Sequence, residues 1–333
     1  SKRIQACCNH WRLVAGVSDA DLAEQIANER IDLLIDLSGH TAHNRLPLFA
    51  WRPAPIQISW LGYFATTGVA AIDYFLADPW TLPLALGEEG AFTERIWRLP
   101  ETRLCFTAPQ VDVSVSPLPA LENGYITFGC LNNLNKMNDA VVALWARILT
   151  AVPNSHLLLK CSQFLETSMR EETLRRFSVH GIEAHRLILD HYGTRMNYLA
   201  TYQRVDICLD PFPFPGGTTT AEALWMGVPV LTLAGNSFLS RQGVGLMMNA
   251  GLPEWVAIDT DNYVERAISH ANRPQELAAL RSGLRQQVMA SPIFDSSRFA
   301  LHFEEALRGM WRRWCADMPL ARDPTTDISN GNI

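Results

Sequence analysis

From residue 125 onward, short apolar runs alternate with segments whose apolar residues recur at helical spacing. Tyr125–Cys130 is such a run, bounded by Gly124 and by asparagine-rich sequence, and it predicts a strand. Val141, Leu144, Trp145, Ile148 and Leu149 then mark a helix, with Asn138 or Asp139 placed to cap it and Pro153 beyond its end. The same reading gives strands at His156–Lys160, Arg186–Leu189, Asp206–Asp210 and Val228–Leu233. Helices are predicted between them at Glu166–Phe177, Arg195–Arg204 and Thr219–Met226. Short apolar strands alternating with helices predict a parallel sheet covered on both faces. Pro274–Trp314 reads as mostly helical.

The first third is less regular. It predicts a helix at Asp19–Arg30, a buried strand at Ile31–Leu37, and further strands at Pro55–Trp60, Tyr74–Ala77 and Arg95–Leu99. Between Glu101 and Glu122, Pro109, Pro117 and Pro119 stand among small polar residues, which predicts a boundary between two α/β lobes. The expected division is an incomplete N-terminal lobe over residues 1–120, a C-terminal lobe over 121–315 and a tail over 316–333.

Composition narrows the function classes. The 333 residues are 48% hydrophobic and 19% charged, enough apolar material for two cores and unlike a disordered chain. No apolar run approaches the ~18 residues of a membrane span. A net charge of −6 argues against a nucleic-acid partner, since a polyanion needs clustered Lys and Arg. The seven cysteines form no C-x-x-C pair, which argues against a zinc site or a disulfide scaffold. Cys130, Cys161 and Cys208 lie in or beside apolar runs and read as buried small hydrophobes of a reducing compartment. The chain opens on Ser1 without a signal-peptide core. It is expected to be a piece of a longer, cytoplasmic protein.

Three segments carry chemistry. In Asp210-Pro-Phe-Pro-Phe-Pro-Gly-Gly-Thr-Thr-Thr-Ala-Glu222 a strand ends, a Pro/Gly loop follows and a helix opens at the threonines. Adjacent glycines let backbone approach a ligand, and a helix N-terminus carries roughly half a positive charge. The pattern reads as a phosphate cradle without a Walker lysine, or as a plain capped helix after a tight turn. Cys130-Leu-Asn-Asn-Leu-Asn-Lys136 also follows a strand, and Lys136 supplies a point charge suited to a diphosphate. The alternative is a polar loop capped by Asn138. Third, His40 follows a buried strand beside Gly39, where a neutral imidazole can orient or deprotonate a hydroxyl; the alternative is a loop histidine bonded to backbone. Gly62 either admits a substrate or serves a turn. The chain has neither a strand-linked dinucleotide fingerprint nor a G-x-S-x-G elbow. Gly243-Val-Gly245 lies in a helical pattern. Asp259-Thr-Asp261 reads as a helix cap rather than a metal-binding pair.

Together these segments resemble the catalytic region of the protein O-linked N-acetylglucosaminyltransferases, including the plant SPINDLY-like and bacterial homologues. The resemblance rests on R-P-A-P-I-Q-I-S-W-L-G-Y at Arg52–Tyr63, L-N-N-L-N-K at Leu131–Lys136, D-I-C-L-D-P-F-P at Asp206–Pro213 and G-G-T-T-T-A-E-A-L-W-M-G-V-P-V at Gly216–Val230. Ser240-Arg241 and Ser291-Pro292-Ile-Phe294 add to it, and the likeness runs from about Ile31 to Trp314. It implies an α/β fold of the GT-B type, two Rossmann-like lobes with parallel sheets facing across a cleft. The implied donor is UDP-N-acetylglucosamine, the acceptor a serine or threonine hydroxyl of a protein, and the mechanism inverting and metal-independent. By resemblance, Lys136 contacts the diphosphate, Asn133 a nearby part of the nucleotide, and Thr218 and Thr219 bind phosphate. Glu222 holds the ribose hydroxyls, and Leu61 and Gly62 lie by the sugar. Arg195 and Tyr198 match positions beside the nucleotide with changed residue types. Gly217 stands where animal members have histidine, as in the bacterial form. His40 is the motif histidine left to assist the acceptor, with Thr41 beside it as a substrate contact. Tetratricopeptide repeats are expected upstream in the full-length chain. The alternatives are a GT-B transferase using another UDP-sugar or a small acceptor, or a nucleotide-binding fragment without turnover.

Overall fold

The structure is a computed structural model and describes residues 2–317. The tail predicted over 316–333 lies outside them except for Ala316 and Asp317, which end a long helix, Ser296–Asp317. The described residues fall into two compact units. One holds the residues up to 75, with 93–95 and those from 303; the other holds 76–92 and 96–302.

The first sheet consists of β1 (Leu33–Asp36), β2 (Ile56–Ser59), β3 (Tyr74–Ala77) and β4 (Arg95–Arg98), in that spatial order. β1, β2 and β3 run parallel. In the smaller unit, the helix Asp19–Asn28 starts where the Ser18 side chain accepts the Asp21 N–H. It buries Leu22 and Ala23 with Leu46, Leu48, Phe49 and Ile72.

The second sheet lies in the larger unit. Its strands are β5 (Thr127–Cys130), β6 (His156–Lys160), β7 (Leu187–Asp190), β8 (Ile207–Leu209), β9 (Val230–Leu233) and β10 (Val256–Ala257). The spatial order is β10-β9-β8-β5-β6-β7, and all pairs are parallel. β5 is buried along its whole length, the burial that a sheet covered on both faces demands of its central strands. The covering helix Asp139–Ala151 is capped by Asn138, whose side chain accepts the Val141 N–H; Trp145, Ile148 and Leu149 enter the core. The order reverses between β5 and β8. Ligands of open α/β sheets bind at the carboxyl ends of the strands beside such a reversal.

Two buried charged residues fix β8 from its amino end. The Asp206 carboxylate accepts the Thr127 N–H at 2.8 Å and the Ala120 N–H at 2.9 Å. Arg281 donates to the carbonyls of Ser116, Val205 and Tyr202 at 2.6–3.0 Å. Burial pulls this guanidinium down to about 10, and the Asp206 charge raises it in part. Arg281→Ala is expected to lower unfolding stability by about 3–5 kcal/mol, because several buried carbonyls lose their donor at once. Urea unfolding measures this; a loss below about 1 kcal/mol would mean that water replaces the guanidinium.

The predicted elements are present, with shifted ends. The Arg195–Arg204 helix is α-helical only over Arg195–Ala200 and tightens to a 3₁₀ turn at Thr201–Arg204, as helix ends often do. β7 starts at Leu187 because Ala184–Arg186 form a 3₁₀ turn directly before it. The short β10 was not anticipated. Residues 99–118 have neither helix nor strand. Among the described residues, no helix is long and apolar enough to cross a membrane.

Candidate active site

The two loops singled out in the larger unit leave β5 and β8, the strands that flank the reversal. They meet. Lys136 ends a 3₁₀ turn, Leu134–Lys136. Its ammonium donates to the Pro215 carbonyl at 2.8 Å and to Asn132 Oδ1 at 3.2 Å, and lies 4.1 Å from the centre of the Phe214 ring. Asn132 Oδ1 also accepts the Thr219 hydroxyl at 3.0 Å. One amide oxygen thus joins the lysine to the first turn of the helix Thr218–Trp225. Asn138 ties the loops again by donating to the Phe212 carbonyl at 2.9 Å. Burial pulls the Lys136 ammonium below its ordinary range, while the Asp210 charge pushes it back up.

Gly216 is demanded by packing. A Cβ there would lie 2.4 Å from the Thr220 hydroxyl and 2.5 Å from that of Thr219. At Gly217 a Cβ would meet nothing within 4 Å. The cradle is therefore closed behind Gly216 and open in front of Gly217, and Thr218 begins the helix exposed.

Glu222 sits one turn into the helix, 7% exposed. It pairs with Arg195, whose side chain is half exposed. The bond to Glu222 raises the Arg195 guanidinium above its usual range. Tyr198 lies beneath: burial and then the Glu222 charge hold its phenol above its ordinary value. Tyr202 continues the chain of rings and donates to the Thr219 carbonyl at 3.0 Å. Arg195, Tyr198, Glu222 and Thr219 therefore belong to one connected wall.

Asn133, expected to contact the nucleotide, caps the 3₁₀ turn by accepting the Asn135 N–H and also accepts from Gln163 at 2.8 Å. Its neighbour Asn132 is the asparagine joined to Lys136 and Thr219. The sequence offered two adjacent amides and no means of telling them apart. Asp210 was seen only as a strand end. It is 1% exposed and accepts the Gly216 N–H at 2.6 Å. An acid placed directly before a Pro/Gly loop was the available signal.

The third segment lies in the smaller unit, at the carboxyl ends of β1 and β2. The Asp36 carboxylate accepts the N–H groups of Ser38 and Gly39 at 3.1 and 2.8 Å and shapes the turn that presents His40 and Thr41 to solvent. The His40 ring stands edge-on to Tyr63, 5.2 Å between centroids. Gly62 packs on the Leu37 carbonyl, where a Cβ would come within 1.9 Å. Of its two expected uses, the turn is the one the packing explains. The residue before it, Leu61, has φ +75° and a 40% exposed side chain. A leucine in the left-handed region costs about 1–3 kcal/mol and is held there by its surroundings, a feature that clusters at ligand sites.

Asp259 caps the helix Thr260–Ala271 by accepting the Asn262 N–H, and Asp261 pairs with Arg147 at 2.7 Å, so the D-x-D pattern is a cap. Gly243 and Gly245 lie in the helix Gln242–Asn249, as expected. Cys130, Cys161 and Cys208 are buried thiols.

Two parallel α/β sheets, the second reversing its order at a glycine–threonine loop, are those of the Rossmann-like lobes of GT-B glycosyltransferases. The family profile of "Glycosyl transferase family 41" matches residues 2–108 and 109–303, and the chain belongs to that family. It is 40% identical over 319 residues to the probable UDP-N-acetylglucosamine–peptide N-acetylglucosaminyltransferase SPINDLY of Petunia hybrida, covering 94% of this chain and 34% of that protein. It is 30% identical over 325 residues to the corresponding SEC protein of Arabidopsis thaliana, covering 95% of this chain and 33% of that protein. Among solved structures, a mutant O-GlcNAc transferase of Thermobaculum terrenum matches with a TM-score of 0.88 and 36% identity, over 95% of this chain and 59% of that one. The chain spans about a third of the length of the curated relatives it matches.

Proposed function

We propose that this chain is the catalytic part of an inverting glycosyltransferase that moves N-acetylglucosamine from UDP-N-acetylglucosamine to serine or threonine hydroxyls of proteins. The observation that carries the reading is the junction of Lys136, Asn132 and Thr219 at the sheet's reversal point, in a family whose relatives bear that activity in their names. The proposed lobes are residues 1–120 and 121–315.

In this reading the acceptor oxygen attacks the anomeric carbon in line while the bond to the UDP oxygen breaks. Negative charge grows on the leaving diphosphate. Lys136, the hydroxyls of Thr218 and Thr219 and the N-terminus of their helix receive it, and donors aimed in advance at developing charge are usually the largest catalytic term. They supply this without a metal ion, and the D-x-D acids are already engaged elsewhere. The sugar lies by Leu61 and Gly62, and His40 and Thr41 serve the acceptor. The setting is proposed to be cytoplasmic, with tetratricopeptide repeats upstream to choose the acceptor, since stacked repeats form extended binding surfaces.

Arg195 and Tyr198 flank the nucleotide, and Glu222 holds the ribose hydroxyls once it is released from Arg195. Wild-type protein should therefore bind UDP about tenfold or more tightly than 2′-deoxy-UDP, the worth of a hydrogen bond to a charged group. Glu222→Ala should lose that preference; an unchanged preference would remove Glu222 from the ribose site. The overall reading is tested by incubating the protein with labelled UDP-N-acetylglucosamine and acceptor polypeptides in EDTA. Label on Ser or Thr supports it. Donor binding without transfer or hydrolysis would make the chain a nucleotide-binding module instead.

A further inference from the structure

Asp210 ends β8 with each carboxylate oxygen committed to a different element. Oδ1 accepts the Gly216 N–H at 2.6 Å, and Oδ2 accepts the Thr232 hydroxyl of β9 at 3.0 Å. The helix Gln242–Asn249 closes the remaining side, where a Cβ on Gly243 would come within 2.6 Å of Oδ2. The carboxylate thus holds the loop from behind, at the glycine that packs on Thr219 and Thr220. The preceding residue, Pro215, supplies the carbonyl that holds Lys136. Asp210 touches the cradle through its glycine and Lys136 through its charge.

We propose that Asp210 is the positioning residue of the phosphate cradle, and that binding of a donor diphosphate is coupled to partial proton uptake by its carboxylate. The inference rests on the reading of this loop as the donor site. It follows from charge. In the empty site a buried anion faces a half-buried cation. A diphosphate brings further negative charge to Lys136, and a second anion close to a buried carboxylate favours that carboxylate's neutral form.

The groups around Asp210 leave it as the one to respond. Burial pushes its carboxyl up to about 7, against the Gly216 and Thr232 hydrogen bonds and the Lys136 charge. From β5, Cys130 is pushed up by burial to about 12. From β8, Cys208 is held well above its ordinary range by burial, as is Tyr263 from the helix Thr260–Ala271. These groups are neutral near pH 7. The bound state therefore holds more protons than the free state near neutrality. By linkage, affinity falls as pH rises through about 7 and is highest below it.

The test uses UDP-N-acetylglucosamine, a diphosphodiester with no group that titrates near neutrality. Its affinity is measured by calorimetry from about pH 6 to about pH 8.5, in buffers of different ionisation heat, so that proton uptake is counted directly. Wild type should weaken about three- to tenfold across that range, a shift of up to about one pKa unit, and should take up a fraction of a proton, at most about one half. Asp210→Asn keeps an oxygen for the Gly216 N–H but carries no charge. It should bind with little pH dependence, and at high pH at least as tightly as wild type. Asp210→Ala should bind weakly throughout. A wild-type affinity that does not change with pH, or an Asp210→Asn slope equal to wild type, overturns the proposal while leaving the donor site intact. Absence of binding at every pH overturns the donor-site reading, and this proposal with it.

Discussion

Lys136→Ala is expected to lower turnover of UDP-N-acetylglucosamine by about 10²–10³-fold, the usual loss when one aimed donor is removed from developing negative charge. The expectation rests on where the ammonium is held. Asn132 and the Pro215 carbonyl fix it at the junction of both loops, and the Phe214 ring covers it. None of these hydrogen-bond partners is an anion, so the ammonium, offset only in part by the Asp210 charge, remains able to bind an anionic ligand. The side chain is only half buried, so the melting temperature should move little. Lys136→Arg should recover part of the activity at most, because a planar fork cannot reproduce a point charge held by two oxygens. Activity of Lys136→Ala within a few-fold of wild type would remove this residue from the leaving-group site.

Gly216→Ala should abolish measurable donor binding. The new methyl would be 2.4–2.5 Å from the hydroxyls of Thr219 and Thr220, so these hydroxyls, the loop or the helix start must move. Overpacking of this kind costs about 1–3 kcal/mol in stability. A shift of about 1 Å in a positioned group can cost 10²-fold in function. Gly217→Ala is the control, because its methyl meets nothing within 4 Å. It should fold with wild-type stability and lose donor affinity only as far as the methyl intrudes on the ligand. Thermal unfolding and donor titration of the two variants decide this, and equal effects on both would contradict the packing described.

The sequence revealed the strands of the second sheet because parallel strands buried on both faces are written as continuous apolar runs. β5, β6, β8 and β9 fall within the runs that predicted them. β10 is two residues long after a 3₁₀ turn and leaves no such run. Strand order is a property of pairing, so the reversal between β5 and β8 was not readable; yet it brings the Leu131–Lys136 and Asp210–Gly217 segments together. Lys136 and Thr219 stood out by residue type and spacing. That Asn132 joins the two loops did not, since neighbouring loop residues differ only in the direction the backbone gives them. The Asp210 contact depends on a chain reversal that returns Gly216 to the strand end. The reason for Gly62 is the Leu37 carbonyl, a contact distant in sequence, and the left-handed backbone of Leu61 is likewise set by tertiary packing.

The most direct measurement is calorimetric titration of UDP-N-acetylglucosamine into wild type and Lys136→Ala in the presence of EDTA. A donor site at the reversal of the second sheet requires saturable binding to wild type, loss of that heat in Lys136→Ala, and no change on chelation. Equal binding by both proteins, or binding that appears only when a divalent cation is restored, would contradict it.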